Sequence, residues 1–98
     1  MKPGVIIVNT ARGGIIDESA LGAALAEGQV GAAGLDVFDD EPPAKDHPLL
    51  AFDRVLLTPH IAGLTQQAAE RMAVYSVQNV LDFFAGRLDS DLLVNKDF

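Results

Sequence analysis

No cysteine occurs among the 98 residues, which excludes disulfides, thiolate metal sites and thiol catalysis. Positive charge is scarce too: seven Lys and Arg face fourteen Asp and Glu, for a formal net charge of -7. That is the wrong sign for a nucleic-acid surface, which needs a basic patch or stripe. The acidic groups are dispersed, with only Asp39-Asp40-Glu41 forming a run, so the charge reads as solubility. Long apolar runs are missing as well. Val5 to Val8 is too short for the core of a signal peptide, and no charge-free stretch reaches the length of a membrane span. Internal repeats and low-complexity segments are absent. A cytoplasmic protein without membrane or nucleic-acid contacts is therefore expected. What is present favours folding: 49% of the residues are apolar, enough for one small domain with a limited core.

Val5 to Val8 is an uninterrupted β-branched run, the pattern of a strand buried on both faces. It ends in the polar, glycine-rich Asn9-Thr10-Ala11-Arg12-Gly13-Gly14, which reads as a loop at a strand's carboxyl end. Asp17 is a suitable N-cap, with Glu18 in the first turn. Ala20, Leu21, Ala24 and Leu25 then share one helical face, and Gly28 suits the C-terminal cap. Strand, glycine loop and amphipathic helix open a βαβ unit.

Val30 to Phe38 is the expected second strand. Glycines at 28, 31 and 34 mimic a phosphate-binding fingerprint, but their spacing is wrong and they precede a strand instead of joining one to a helix. A long connection from Asp39 to Asp53, with a helical turn at its end, leads to a third strand over Arg54 to Thr58. His47, flanked by proline in that connection, reads as a solvated residue. The third strand stops at Pro59, and His60-Ile61-Ala62-Gly63 follow.

Thr65 is a plausible N-cap for a long helix through about Ala85, closed by Gly86. Ala69, Met72, Ala73, Ser76, Val77, Val80, Leu81 and Phe84 form one apolar face, and Val74, Tyr75 and Phe83 a second. Two apolar faces imply cover on two sides. Both a further domain or partner subunit and a central place in a small core satisfy that condition. Leu92-Leu93-Val94 in the tail reads as a strand of another sheet.

Arg12, Glu41 and His60 follow the first, second and third strands. In a parallel sheet those carboxyl ends share one edge, where distant residues converge on a crevice. A guanidinium matches a carboxylate and polarises a neighbouring carbonyl. A carboxylate beside an imidazole orients it and favours its protonated form. The trio suits binding a 2-oxo acid and protonating its carbonyl oxygen as a hydride reaches carbon. Other chemistry finds less support. Ser19, Ser76 and Ser90 sit in no nucleophile elbow, and His47 and His60 lack the spacing of a helical metal pair, so no metal is expected.

Asn9 to Gly14, Gly34-Leu35-Asp36-Val37-Phe38 with Glu41-Pro42, and Thr58 to Gly63 resemble the motifs of the NAD(P)-dependent D-isomer-specific 2-hydroxyacid dehydrogenases. This group includes D-3-phosphoglycerate dehydrogenase and the glyoxylate and hydroxypyruvate reductases. The likeness runs through nearly the whole chain, in order. It implies an α/β fold, a partial Rossmann-like domain with a parallel three-stranded half-sheet. It further implies that Arg12 orients substrate, Glu41 pairs with the histidine and His60 is the acid/base. Asp36 would contact the nicotinamide carboxamide of NAD or NADP. Thr10, Ala11 and Arg12, with His60, Ile61, Ala62 and Gly63, would line the nicotinamide side of the pocket. The substrate would be a small 2-oxo or D-2-hydroxy acid.

Family members resemble a two-domain enzyme. Residues 1–86, with the long helix 65–85, match the later half of its coenzyme domain, and 87–98 would return toward a substrate domain. Neither the G-x-G-x-x-G loop nor the residue that selects NAD or NADP is present. A fragment with little turnover by itself is the expectation, associating as a homo-oligomer or with the missing domain through helix 65–85. The chain also resembles the C-terminal-binding co-repressors, in which nucleotide binding supports assembly. An inert remnant that associates through its helix is the third reading.

Overall fold

The computed structural model describes residues 1–95. Met1–Gly63 form one compact unit, and the chain from Leu64 onward forms a second. The first contains strand β1 (Val5–Asn9), helix α1 (Glu18–Ala26), strand β2 (Val30–Leu35), a 3-10 turn (Pro48–Ala51) and strand β3 (Val55–Leu57). The sheet is parallel, in the order β1-β2-β3. It is the Rossmann-like half-sheet expected from the sequence.

α1 starts where the sequence predicts, with the Asp17 carboxylate accepting from Ala20 N–H at 2.8 Å. It ends before Gly28, whose φ of +75° is the left-handed conformation a helix C-terminus favours and glycine adopts freely. Leu21 and Leu25 pack with Val30, Ala33, Leu35, Phe38 and Leu49 into the core. Each of the buried Leu, Val and Phe side chains among them contributes about 1.5–3 kcal/mol. Arg54 donates to the carbonyl of Leu25 at 2.8 Å, satisfying one of the acceptors that the end of α1 leaves open.

The strands differ in part from expectation. β1 is not covered on both faces: Ile6 and Val8 are 68% and 69% exposed. The reason is that α1 covers one side of the sheet and no element of residues 1–63 lies on the other. β2 ends at Leu35, three residues before the expected Phe38, because Asp36 turns its carboxylate to the loop after β3. β3 is likewise shorter than Arg54 to Thr58, although Arg54 O and Thr58 N still bond to β2.

In the second unit, helix α2 runs from Gln66 to Phe84. Thr65 caps it by accepting from Ala68 N–H at 3.0 Å, and Gly86 follows its end with φ +67°. Met72, Val74, Tyr75, Val77, Val80 and Leu81 are all exposed. The tail differs from expectation: Ser90–Leu92 form a 3-10 turn capped by Asp89, and Leu93 and Val94 lie outside any strand. A strand needs a neighbour to bond to, and the described part of this unit has none. The end of the expected 87–98 tail lies outside the described residues.

Among the described residues no helix is long and apolar enough to cross a membrane.

Candidate functional site

Parallel pairing brings Asn9, Leu35 and Leu57 level with one another at the carboxyl edge of the sheet. Every chain segment leaving that edge carries one of the predicted polar residues.

The segment after β3 is the most highly organised. Asp36, only 4% exposed, accepts from Ile61 N–H at Oδ1 and Ala62 N–H at Oδ2, both at 2.9 Å, and from the Thr58 hydroxyl at Oδ1. The Thr58 hydroxyl and the two amides hold the Asp36 carboxyl below its ordinary value, outweighing the opposing effect of burial, with a smaller contribution from His60. Pinned between these bonds, His60 adopts φ +53°, a left-handed conformation costing about 1–3 kcal/mol for a side chain of this kind. Its amide donates to Thr58 O at 3.1 Å. The ring is thereby set against Glu41, with Nδ1 2.8 Å from Oε2.

Glu41 is fixed from its other side by the Phe38 N–H, which donates to Oε1 at 3.0 Å. The hydrogen bond with His60, then that from Phe38, lowers the Glu41 carboxyl below its ordinary value. A carboxylate on Nδ1 fixes the ring's orientation and leaves Nε2 to exchange a proton. Beside the pair is a cavity of about 510 Å³, walled by Pro42, Leu50, Leu57 and Pro59 with Asp36, Glu41 and His60 as polar groups. Its size is that of a small-molecule site, mostly apolar with a few convergent polar groups.

The segment after β1 is different. Asn9, buried at the strand end, accepts from Ala11 N–H and donates to Arg12 O, closing the turn. Arg12 is exposed, and among the described residues its guanidinium bonds to Ala11 O, at 2.6 Å. The structure therefore brings together Asp36, Glu41, His60, Ile61 and Ala62. It places Thr10, Ala11 and Arg12 on the same edge beyond β1, and no bond joins them to the histidine pair. Gly63 is exposed at the end of the first unit.

Residues 1–62 match the family described as D-isomer specific 2-hydroxyacid dehydrogenase, NAD binding domain. The chain belongs to this family. It is 48% identical over 86 residues to D-3-phosphoglycerate dehydrogenase of Archaeoglobus fulgidus, covering 88% of this chain and 16% of that protein. It is 45% identical over 97 residues to glyoxylate reductase of Aeropyrum pernix, covering 99% of this chain and 29% of that one. Among solved structures, it is similar to an NADPH-dependent glyoxylate/hydroxypyruvate reductase from Sinorhizobium meliloti in complex with NADP and malonate. The TM-score is 0.77 at 37% identity, covering 85% of this chain and 26% of the other. The chain thus spans less than a third of the length of these relatives.

Two further residues of the dehydrogenase domain shape the edge. Asn9 and Thr58 act on backbone and side chain close by, and both stand next to predicted strand ends, where a turn-forming polar residue is a readable signal. His47 is a correction. Instead of a solvated side chain it is largely shielded and 3.0 Å from Glu18, because the connection folds back onto the start of α1. No local signal marks that contact, since 29 residues separate the partners. Among the described residues no group of three or more metal-binding side chains is assembled.

Proposed function

We propose that the chain forms the proton-transfer and nicotinamide side of a D-2-hydroxyacid dehydrogenase that interconverts a small 2-oxo acid and its D-2-hydroxy acid with NAD or NADP. The observation that carries this reading is the His60–Glu41 bond of 2.8 Å beside a cavity of about 510 Å³ at the sheet's carboxyl edge.

The cavity fits a nicotinamide in kind: apolar walls for a ring, and Asp36 Oδ2, which accepts from Ala62 and has a second lone pair for a carboxamide N–H. Ile61, Ala62 and Gly63 would border it, with Thr10 and Ala11 beyond β1. When bound, NAD(P)H supplies the hydride that adds to the carbonyl carbon. His60, held through Nδ1, delivers a proton from Nε2 to the carbonyl oxygen, and takes it from the hydroxyl in the reverse direction. Glu41 keeps the imidazole oriented and stabilises its charged form. The Arg12 guanidinium pairs with the carboxylate of the acid and polarises its carbonyl. The exposed apolar residues of α2 support association of that helix with further protein. An acidic, cysteine-free composition supports a cytoplasmic setting.

Binding of NADH and NADPH to the 98-residue chain, followed by nicotinamide fluorescence, tests the reading. Micromolar binding that weakens in Asp36→Ala, with glyoxylate or hydroxypyruvate quenching the complex, is the expected result. A folded chain that binds neither nucleotide would overturn the assignment of the cavity.

A further inference from the structure

Glu18 lies in the first turn of α1, where a carboxylate ordinarily serves its own helix's free N–H groups. Here both oxygens are used outside the helix: Oε1 accepts from Asp39 N–H at 2.9 Å, and Oε2 meets His47 Nε2 at 3.0 Å. With side-chain exposures of 17% and 19%, the pair is shielded, unlike the exposed ion pairs that contribute little. The other ring nitrogen of His47, Nδ1, accepts from Leu49 N–H at 3.3 Å. An accepting nitrogen carries no proton, so the neutral ring bears its proton on Nε2 and donates it to Glu18.

From this anchor the contacts run in two directions. The His47 ring meets Phe38 edge-on, with centroids 5.6 Å apart, and Phe38 N–H donates to Glu41. Asp39 accepts through its side chain from Gly14 N–H, two residues past Arg12. Glu18 and His47 therefore hold the Phe38–Asp39 segment at two points, the Asp39 amide and the Phe38 ring, and that segment touches both the Glu41 carboxylate and the Arg12 turn.

We propose that Glu18, acting with His47, is a positioning residue of the site: it fixes the Phe38–Asp39 segment and thereby the approach of Glu41 to His60 and the placement of the Arg12 turn. What this positioning serves rests on the reading of His60 and Glu41 as the proton-transfer pair, whereas the positioning itself rests on the contacts.

The test is a carboxyl-carbon NMR titration of the full chain as wild type, Glu18→Ala, Glu18→Gln and His60→Ala, with amide dispersion recording that each is folded. The Glu41 titration in Glu18→Ala is expected to move upward toward that of His60→Ala, with faster amide exchange at Gly14. Glu18→Gln, whose amide oxygen still accepts from Asp39, should restore part of the wild-type position. A folded Glu18→Ala with an unmoved Glu41 titration overturns the proposal, because a purely structural anchor has no reason to reach that group. If Glu18→Ala does not fold, His47→Asn replaces it: its side-chain oxygen keeps the bond to Leu49 while the bond to Glu18 is lost, and the same two outcomes apply. Failure of the wild type to bind either NADH or NADPH is a separate observation, which removes the functional reading and leaves the Glu41 titration to decide the positioning.

Discussion

The two ends of the sheet's carboxyl edge are prepared to different degrees. Beyond β3, the Asp36 carboxylate ties down the backbone on the far side of His60, and the ring meets Glu41 in a bond whose other oxygen is also satisfied. Beyond β1, Asn9 shapes the turn, but the Arg12 guanidinium is exposed and, among the described residues, bonded to its neighbour's carbonyl alone. The difference suits the two roles proposed for His60 and Arg12. A proton donor must be oriented before reaction, since misplacement lowers the rate directly. A guanidinium that captures a carboxylate gains its partner when the ligand arrives.

The largest expected effect comes from breaking the backbone contact between the turn after β1 and the segment after β2 that leads to Glu41. A Cβ on Gly13 would stand 2.1 Å from the carbonyl oxygen of Phe38, too close for any side chain. Gly13→Ala should destabilise the chain by about 1–3 kcal/mol or more, read as a lower midpoint in urea unfolding. Next in size is Asp36→Asn, which replaces an acceptor of three bonds with a group that also donates. Hydrogen exchange at Ile61 and Ala62 should quicken while that at Ala11 stays as it is. Equal acceleration at both ends would erase the contrast.

Acid provides a graded version of the same experiment. Asp36 and Glu41 have folded-state values below their ordinary 3.8 and 4.5, so both bind protons less readily when folded. Their contribution to stability is complete above those ordinary values and is lost as pH falls from them through the lowered folded ones. Unfolding midpoints should therefore decline below about pH 4.5, and the decline should be shallower in Glu41→Gln. The smallest effect on stability belongs to Arg12→Ala, within about 0.5 kcal/mol as for an ordinary exposed position. Its effect should appear instead as loss of glyoxylate or hydroxypyruvate binding to the nucleotide complex. A substantial loss of stability would mean that Arg12 holds the fold and not a ligand.

Much of this was legible in one dimension because the signals are local. The β-branched run Val5 to Val8, the caps Asp17 and Thr65, and the glycines after both helices act within a turn of their own position. The misread pieces depend on what lies opposite. Ile6 and Val8 have the composition of a doubly covered strand, yet exposure depends on neighbours that composition does not specify. Leu92 and Leu93 are apolar enough for a strand, but pairing requires a partner edge.

By itself the sequence determined a parallel α/β half-sheet, its helix boundaries, and the order in which Arg12, Glu41 and His60 leave successive strands. Periodicity, capping and strand-end chemistry are short-range properties, and a chain displays them before it folds. Only the tertiary structure decided that the Asp36 carboxylate is spent on the amides of Ile61 and Ala62, that His60 is held in a left-handed conformation facing Glu41, and that Glu18 finds His47. Those pairs are 19 to 29 residues apart, joined by a chain too flexible to fix their distance. It is the register of β1, β2 and β3, set by burial against α1, that brings their ends into line and makes the bonds possible.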